Sequence, residues 1–159
     1  MIRRERRRAA LGIFLLSVYL VQAILGWEWS WLAGKQLDES FKRWTGCLLL
    51  AYLLHQWWLT VGRAMGWARA AKKSYRLHKN LGLVAPVFFY FHSMRLGYGY
   101  LLLLSSVYLG NLLVGYLHPV SIGFKPKMLS FPWMVVHVAL AVLTMLVVAY
   151  HTWFVLYYE

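Results

Sequence analysis

Acidic residues and cysteine are both scarce in this chain, and their scarcity excludes several classes of protein. Only five residues are acidic, and all of them lie outside the long apolar runs: Glu5, Glu28, Asp38, Glu39 and Glu159. Hydrolysis by paired carboxylates and a carboxylate proton relay within a membrane are therefore not expected. Cys47 is the only cysteine. The chain alone therefore offers no internal disulfide, no C-x-x-C-H attachment of haem and no thiolate-held zinc or iron–sulfur cluster.

What the chain has in abundance is apolar surface. Hydrophobic residues make up 61% of the sequence and aromatic residues 18%, with a mean hydropathy of +0.53, far above the composition of a soluble domain. Since one membrane-spanning helix needs about 20 apolar residues, the chain has room for about four or five spans and short loops. We therefore predict an all-α, polytopic membrane helix bundle that forms a single transmembrane domain over residues 1–159.

Five transmembrane helices are predicted, at about residues 9–31, 43–62, 79–95, 100–117 and 133–157. The number depends on the apolar stretch from Leu81 to Leu117, which has 37 residues. As one helix it would be about 55 Å long, well beyond a ~30 Å hydrocarbon core. A break is expected at Met94–Tyr100, where a charge and two glycines lie together. If this stretch were unbroken, the bundle would have four helices, which is the second choice.

The basic residues predict the orientation in the membrane. Residues 63–79 are interpreted as a loop that holds six basic residues and no acidic one: Arg63, Arg69, Lys72, Lys73, Arg76 and Lys79. With the N-terminus in the cytoplasm, thirteen of the seventeen basic residues lie on the cytoplasmic side. This indicates an integral protein of the bacterial inner membrane. The basic loop is also a candidate dock for anionic lipid or an acidic electron donor, and no nucleic-acid partner is expected.

Two more segments are interpreted as loops. Residues 35–43 are polar and mixed in charge, and residues 120–132 contain Lys125, Pro126, Lys127 and Pro132. Each would join two predicted spans, the first outside the membrane and the second in the cytoplasm.

Four of the six histidines form two pairs with the same spacing. His78 and His92 are 14 residues apart, and so are His137 and His151. On an α-helix, 14 residues rise about 21 Å through nearly four turns, so both imidazoles of a pair leave from about the same face. Two such helices facing each other would make two stacked sites with one imidazole on either side of a flat ring, which is the axial coordination of a six-coordinate b-type haem. We therefore predict two b-type haems with these four histidines as iron ligands.

The pairing of ligands depends on the topology. With five spans, the third and fifth helices run parallel, so His78 pairs with His137 near the cytoplasm and His92 pairs with His151 near the outer surface. With four spans the partners exchange, but the four ligands stay the same. The alternative is that these histidines form hydrogen bonds between helices and bind no metal.

Three cations complete the predicted cofactor-binding set. Arg76 and Lys79 flank His78, and Arg95 follows His92. These side chains would lie near the haem propionates. The alternative is that the three residues lie at helix ends and extend their charged groups to the membrane surface.

The two remaining histidines have no partner at a spacing of 14 residues. His55 is interpreted as a packing or hydrogen-bonding residue, with a quinone contact, a propionate contact or a third metal site as alternatives. His118, beside Pro119, is interpreted as a residue at a helix end.

At the paired histidines the chain resembles the ferric-reductase-like transmembrane family, which includes the membrane halves of NADPH oxidases and of metalloreductases and the haem subunit of a bacterial methionine sulfoxide reductase system. The matching text is Arg76-Leu-His78-Lys-Asn-Leu-Gly82, then His92 within Tyr-Phe-His-Ser, then His137 and His151. It covers residues 76–157. The resemblance implies two b haems that carry electrons across the bilayer, with a flavin domain or partner feeding the inner haem. No G-x-G-x-x-G fingerprint occurs, so this chain is expected to lack the flavin and nucleotide domain.

These features together predict an electron-transfer subunit of an oxidoreductase complex with no catalytic residues of its own. It would move electrons between a donor and an acceptor, each a redox partner protein or a quinone, with membrane lipid around it. The alternative is a haem-free scaffold or assembly subunit of a larger membrane complex.

Overall fold

The structure, a computed structural model, describes residues 2–119 and 126–158. Within these residues the fold is all-α, with six helices and no strand. In chain order they are α1 (Ile2–Leu25), α2 (Ser30–Leu37), α3 (Glu39–Ala64), α4 (Ala68–His92), α5 (Tyr100–Tyr116) and α6 (Pro126–Tyr158).

The described chain divides into two compact units. The first unit combines residues 2–18 with residues 95–119 and 126–158, and the second unit is Tyr19–Met94. The second unit therefore holds α2, α3 and α4, and the first unit holds α5 and α6 with the start of α1.

Each unit is built on an antiparallel pair of helices. In the second unit, Thr45 at the start of α3 contacts His92 at the end of α4, and the Tyr52 and Phe88 rings lie 5.5 Å apart. The two helices are therefore antiparallel, because residue numbers along the contact increase on α3 and decrease on α4.

The same pattern joins α5 and α6 in the first unit. Tyr100 contacts His151, whereas Val114 accepts a hydrogen bond from the Trp133 indole. Gly12 of α1 also packs in this unit, so closely that a Cβ there would lie 2.6 Å from the ring of Tyr116.

The break predicted in the long apolar stretch is confirmed. Helix α4 ends at His92 and α5 begins at Tyr100. Gly97 and Gly99 between them have φ values of +79° and +56°, a region that side chains with a Cβ rarely adopt. The Ser105 hydroxyl donates a hydrogen bond to the Leu96 carbonyl and holds this connection to α5.

The predicted boundaries of other elements need correction. Helix α1 ends at Leu25 rather than at residue 31, because Gly26 adopts a φ of +67°. Residues 35–43 are almost wholly helical, since only Asp38 separates α2 from α3. Asp38 accepts a hydrogen bond from the Phe41 amide and so starts α3 directly.

The basic segment 63–79 is also mostly helical. Met65, Gly66 and Trp67 form the only turn in it, and α4 begins at Ala68. The segment contains no proline and has three alanines in four positions, so local helix propensity is high despite its charge.

The segment 120–132 is a loop in the prediction, but its residues 126–132 are helical in the structure. Residues 120–125 lie outside the described residues, and α6 begins at Pro126 instead of at residue 133. A proline at the first helical position loses no helical hydrogen bond, and Pro132 in the second turn loses one.

Two of the described helices are long and apolar enough to cross a membrane, over Arg3–Leu25 and Leu129–Tyr158. Helix α5 is apolar but shorter. The predicted spans 43–62 and 79–95 lie on α3 and α4, which are less apolar. His55 and Gln56 lie in the middle of α3, and basic residues fill the first half of α4. The five-span topology therefore stays a prediction.

Candidate functional site

Both histidines of each pair lie on a single helix and in a single unit. His78 and His92 belong to α4, and His137 and His151 belong to α6. Because each helix is continuous between its two histidines, the two Cα atoms are separated by about 21 Å along the axis. All four side chains are half-buried.

The His92 imidazole packs against the start of α3. Its Nδ1 atom lies 3.3 Å from the Thr45 hydroxyl oxygen, and its Cε1 atom would lie 3.2 Å from a Cβ at Gly46. A groove of about 260 Å³ opens beside Thr45, lined by Phe41, Thr45, Leu48, Leu49, Phe88 and Phe91. Thr45 is the one side chain in this lining with a polar group.

The last turn of α4, which ends at His92, is held by a glutamine of α2. The Gln36 amide nitrogen donates to the carbonyl oxygens of Tyr90 and Phe91 at 2.9 and 3.0 Å. The backbone N–H of Met94 donates to the Gln36 side-chain oxygen at 3.3 Å. Gln36 therefore satisfies carbonyls that have no partner within the helix.

The His137 imidazole packs against α5 in the same manner as His92 packs against α3. Its Cε1 atom would lie 3.2 Å from a Cβ at Gly115, and the ring hydrogen-bonds to the backbone of Asn111. The Trp133 ring is stacked on it, with centroids 5.2 Å apart and planes at 15°. Trp133 is in turn fixed by its hydrogen bond of 2.7 Å to the Val114 carbonyl.

The His151 imidazole also faces α5. Its Nδ1 atom lies 3.5 Å from the Tyr100 hydroxyl oxygen. The Tyr100 ring packs edge-on against Tyr150 at 5.2 Å and lies 5.7 Å from Phe154. The imidazole is therefore placed in an aromatic cluster with one hydroxyl at its Nδ1 side.

The predicted cations lie in different surroundings. Lys79 places its ammonium 4.6 Å from the centroid of the Tyr75 ring, one helical turn away on α4. Arg76 is exposed on the same helix, and Arg95 is exposed in the connection to α5. Their proposed contact with propionates stays a prediction.

The two unpaired histidines differ in setting. His55 and its neighbour Gln56 bury polar atoms on α3 for which the described residues supply no hydrogen-bond partner. His118 lies at the end of α5, with its ring edge-on to Trp133 at 4.5 Å. The rings of His118, Trp133 and His137 thus follow one another in the first unit.

Three of the four predicted ligands therefore face the neighbouring helix of their own unit. Sequence reasoning missed the residues that receive them: Thr45, Gly46, Tyr100 and Gly115. The sequence held one signal for two of them. Tyr100 and Gly115 on α5 are 15 residues apart. Since α5 and α6 are antiparallel, residues that receive two histidines 14 positions apart on α6 are expected at nearly the same spacing on α5.

Within the part of the chain that the structure describes, no three His, Cys, Asp or Glu side chains come together as a metal-binding group. A haem with two axial imidazoles needs only two protein ligands, since the porphyrin supplies the other four.

Comparison with known protein families, with curated proteins and with solved structures finds no match for this chain.

Proposed function

We propose that this chain is a di-haem b-type cytochrome subunit of a polytopic membrane bundle that passes electrons between a donor and an acceptor on opposite sides of the membrane. The observation that carries the proposal is the repeated interval of 14 residues, with each histidine pair on one continuous helix. Intramembrane histidines are costly and rare, so two matched pairs favour a shared function.

The surroundings of His92 and His151 in particular suit the cofactor. Haem iron takes histidine through a ring nitrogen, and the other nitrogen then needs a hydrogen-bond partner that orients the ring. Thr45 and Tyr100 lie at the Nδ1 atoms of His92 and His151. Glycine rather than a larger residue lies against His92 and His137, so the edge of each ring can approach the backbone of the neighbouring helix. When bound, a b-type haem supplies one-electron transfer.

The remaining residues have supporting roles in this proposal. Arg76, Lys79 and Arg95 would neutralise propionates, and the basic residues of 63–79 would face an acidic redox partner or anionic lipid. The positive-inside distribution of the basic residues supports a bacterial inner-membrane protein with its N-terminus in the cytoplasm. The donor and acceptor would be redox partner proteins or a quinone.

An absorption spectrum of the purified full-length protein tests the proposal. We expect reduced-minus-oxidised bands of a b-type cytochrome and two haems per chain. Replacing His92 by Ala should remove one haem, whereas His118→Ala, the matched control at a helix end, should keep both. A well-folded but colourless protein would rule out the proposed function.

A haem-free scaffold is the second candidate, and one observation favours it. The imidazoles of His92, His137 and His151 already contact groups on a neighbouring helix, as histidines that stabilise helix packing do. In this case His92→Ala would lower the thermal stability of a protein that never contained haem, so the same spectrum separates the two candidates.

A further inference from the structure

We propose that Thr45 is a positioning residue for His92: its hydroxyl holds the imidazole in the tautomer with a proton on Nδ1, which leaves the lone pair, and with it the capacity to bind a metal, on Nε2. The tautomer follows from the hydrogen bonds of the second unit alone. Only its consequence for iron rests on the proposed function.

The direction of the hydrogen bond follows from a count of protons. The Thr45 hydroxyl oxygen lies 2.8 Å from the Phe41 carbonyl and 3.1 Å from the Lys42 carbonyl, and both are acceptors only. A hydroxyl has one proton to donate, and this proton goes to the preceding turn of α3. Toward His92 Nδ1, at 3.3 Å, the oxygen can therefore only accept, so Nδ1 carries the proton.

The ring is also held in place by its surroundings. Gly46, the next residue on α3, brings the helix backbone against the Cε1 atom of the same ring. The last turn of α4 is tied by Gln36. A side chain restricted on two sides and hydrogen-bonded at one nitrogen has little freedom to rotate, which is the arrangement that a metal ligand requires.

Donation from Nδ1 has a chemical effect on the opposite nitrogen. A hydrogen bond from Nδ1–H increases the basicity of Nε2. A more basic axial ligand stabilises the oxidised iron, so loss of the Thr45 acceptor should raise the midpoint potential of one haem and leave the other unchanged.

The first experiment needs no cofactor. Full-length protein labelled with ¹⁵N-histidine is compared as wild type, Thr45→Val and Thr45→Ser, with Thr60→Val as a matched control on the same helix. The His92 signal is assigned by its absence in His92→Gln. We expect an Nδ1-protonated imidazole in wild type, Thr45→Ser and Thr60→Val, and a shift toward the Nε2-protonated form in Thr45→Val. Wild-type His92 protonated at Nε2, or a tautomer unchanged in Thr45→Val, would overturn the assignment.

The second experiment uses the haem-loaded protein. Thr45→Val should raise one of two midpoint potentials and weaken haem binding at one site by about 10- to 100-fold, while Thr45→Ser should restore both. Two unchanged potentials would contradict the role toward iron. If wild-type protein is colourless, the proposed function fails, but the tautomer measurement still decides the role of Thr45. If Thr45→Val does not fold, the wild-type tautomer alone decides it.

Discussion

Glycine beside imidazole is the feature that recurs at the residue scale. Gly46 and Gly115 each allow the edge of a histidine ring to lie against the backbone of the partner helix. Any larger residue would move the ring by a few tenths of an ångström or more. The two positions therefore determine where the imidazoles of His92 and His137 lie.

Two matched substitutions on α5 test whether the absence of a side chain at Gly115 is required for the contact with His137. In Gly115→Ala the new methyl group meets His137 at 3.2 Å, whereas a Cβ at Gly110 meets none of the described residues within 4 Å. We expect Gly115→Ala to lower the free energy of unfolding by about 1 kcal/mol or more through overpacking. Gly110→Ala should be neutral or slightly stabilising, because alanine favours a helix more than glycine does. Thermal denaturation in detergent measures both, and equal stabilities would contradict the contact.

Trp133 makes a second testable contact with His137. Its indole N–H donates to the Val114 carbonyl, and its ring stacks on the imidazole. Trp133→Phe keeps an aromatic ring but removes the donor, so we expect a loss of about 1 kcal/mol in stability. Trp153→Phe, at an exposed position of the same helix, is the control and should change little. Equal effects of the two variants would show that the hydrogen bond is unimportant.

At the scale of elements, the short helix α2 contributes to the order of α4. Its Leu32 is fully buried and anchors it, while Gln36 bonds the last carbonyls of α4. The turn that contains His92 is therefore stabilised by hydrogen bonds from a different helix, α2.

Replacing Gln36 by Leu should expose this dependence. Two carbonyls of α4 would lose their side-chain partner, at a cost of about 1–3 kcal/mol, and hydrogen exchange should speed up at the end of α4. Lys35→Leu changes the exposed neighbour and serves as the control. A protected α4 terminus in Gln36→Leu would contradict the capping role.

Whether α3 crosses the membrane is a second question at this scale. Leu37 and Met65 flank α3 and are 80% and 60% exposed. In a Cys47→Ser background, we expect an impermeant maleimide to label Leu37→Cys in spheroplasts from outside and to label Met65→Cys only after permeabilisation. This follows because 26 helical residues extend about 39 Å, enough to cross a ~30 Å core. Labelling of both from one side would eliminate the five-span topology.

Sequence reasoning succeeds for these elements where composition changes sharply. The charge and glycines at 95–99 interrupt an apolar run, and the break lies there. It fails where polarity is mistaken for irregular structure. Residues 35–43 and 63–79 are polar but contain no proline, and a polar helix satisfies its backbone as well as an apolar one does. The contacts of Thr45 and Gln36 could not be predicted either, because they depend on which helices are neighbours.

At the scale of the whole molecule, the described residues assign one histidine pair to each compact unit. The interval of 14 residues could be recognised from sequence because it depends only on helical periodicity. The neighbours of each imidazole depend on helix packing and on glycines whose role is invisible in a single sequence. Position along a helix is thus the predictable part of the candidate site, and ring orientation is not.

Both imidazoles of α4 are attached to one uninterrupted helix, and those of α6 to another. Sliding such a helix would move its two histidines together, and the helical rise would keep their separation along the axis at about 21 Å. If these histidines hold the two proposed haems, changes in lipid thickness, loop sequence or partner binding would leave the distance between the haems nearly constant and would act instead on their reduction potentials.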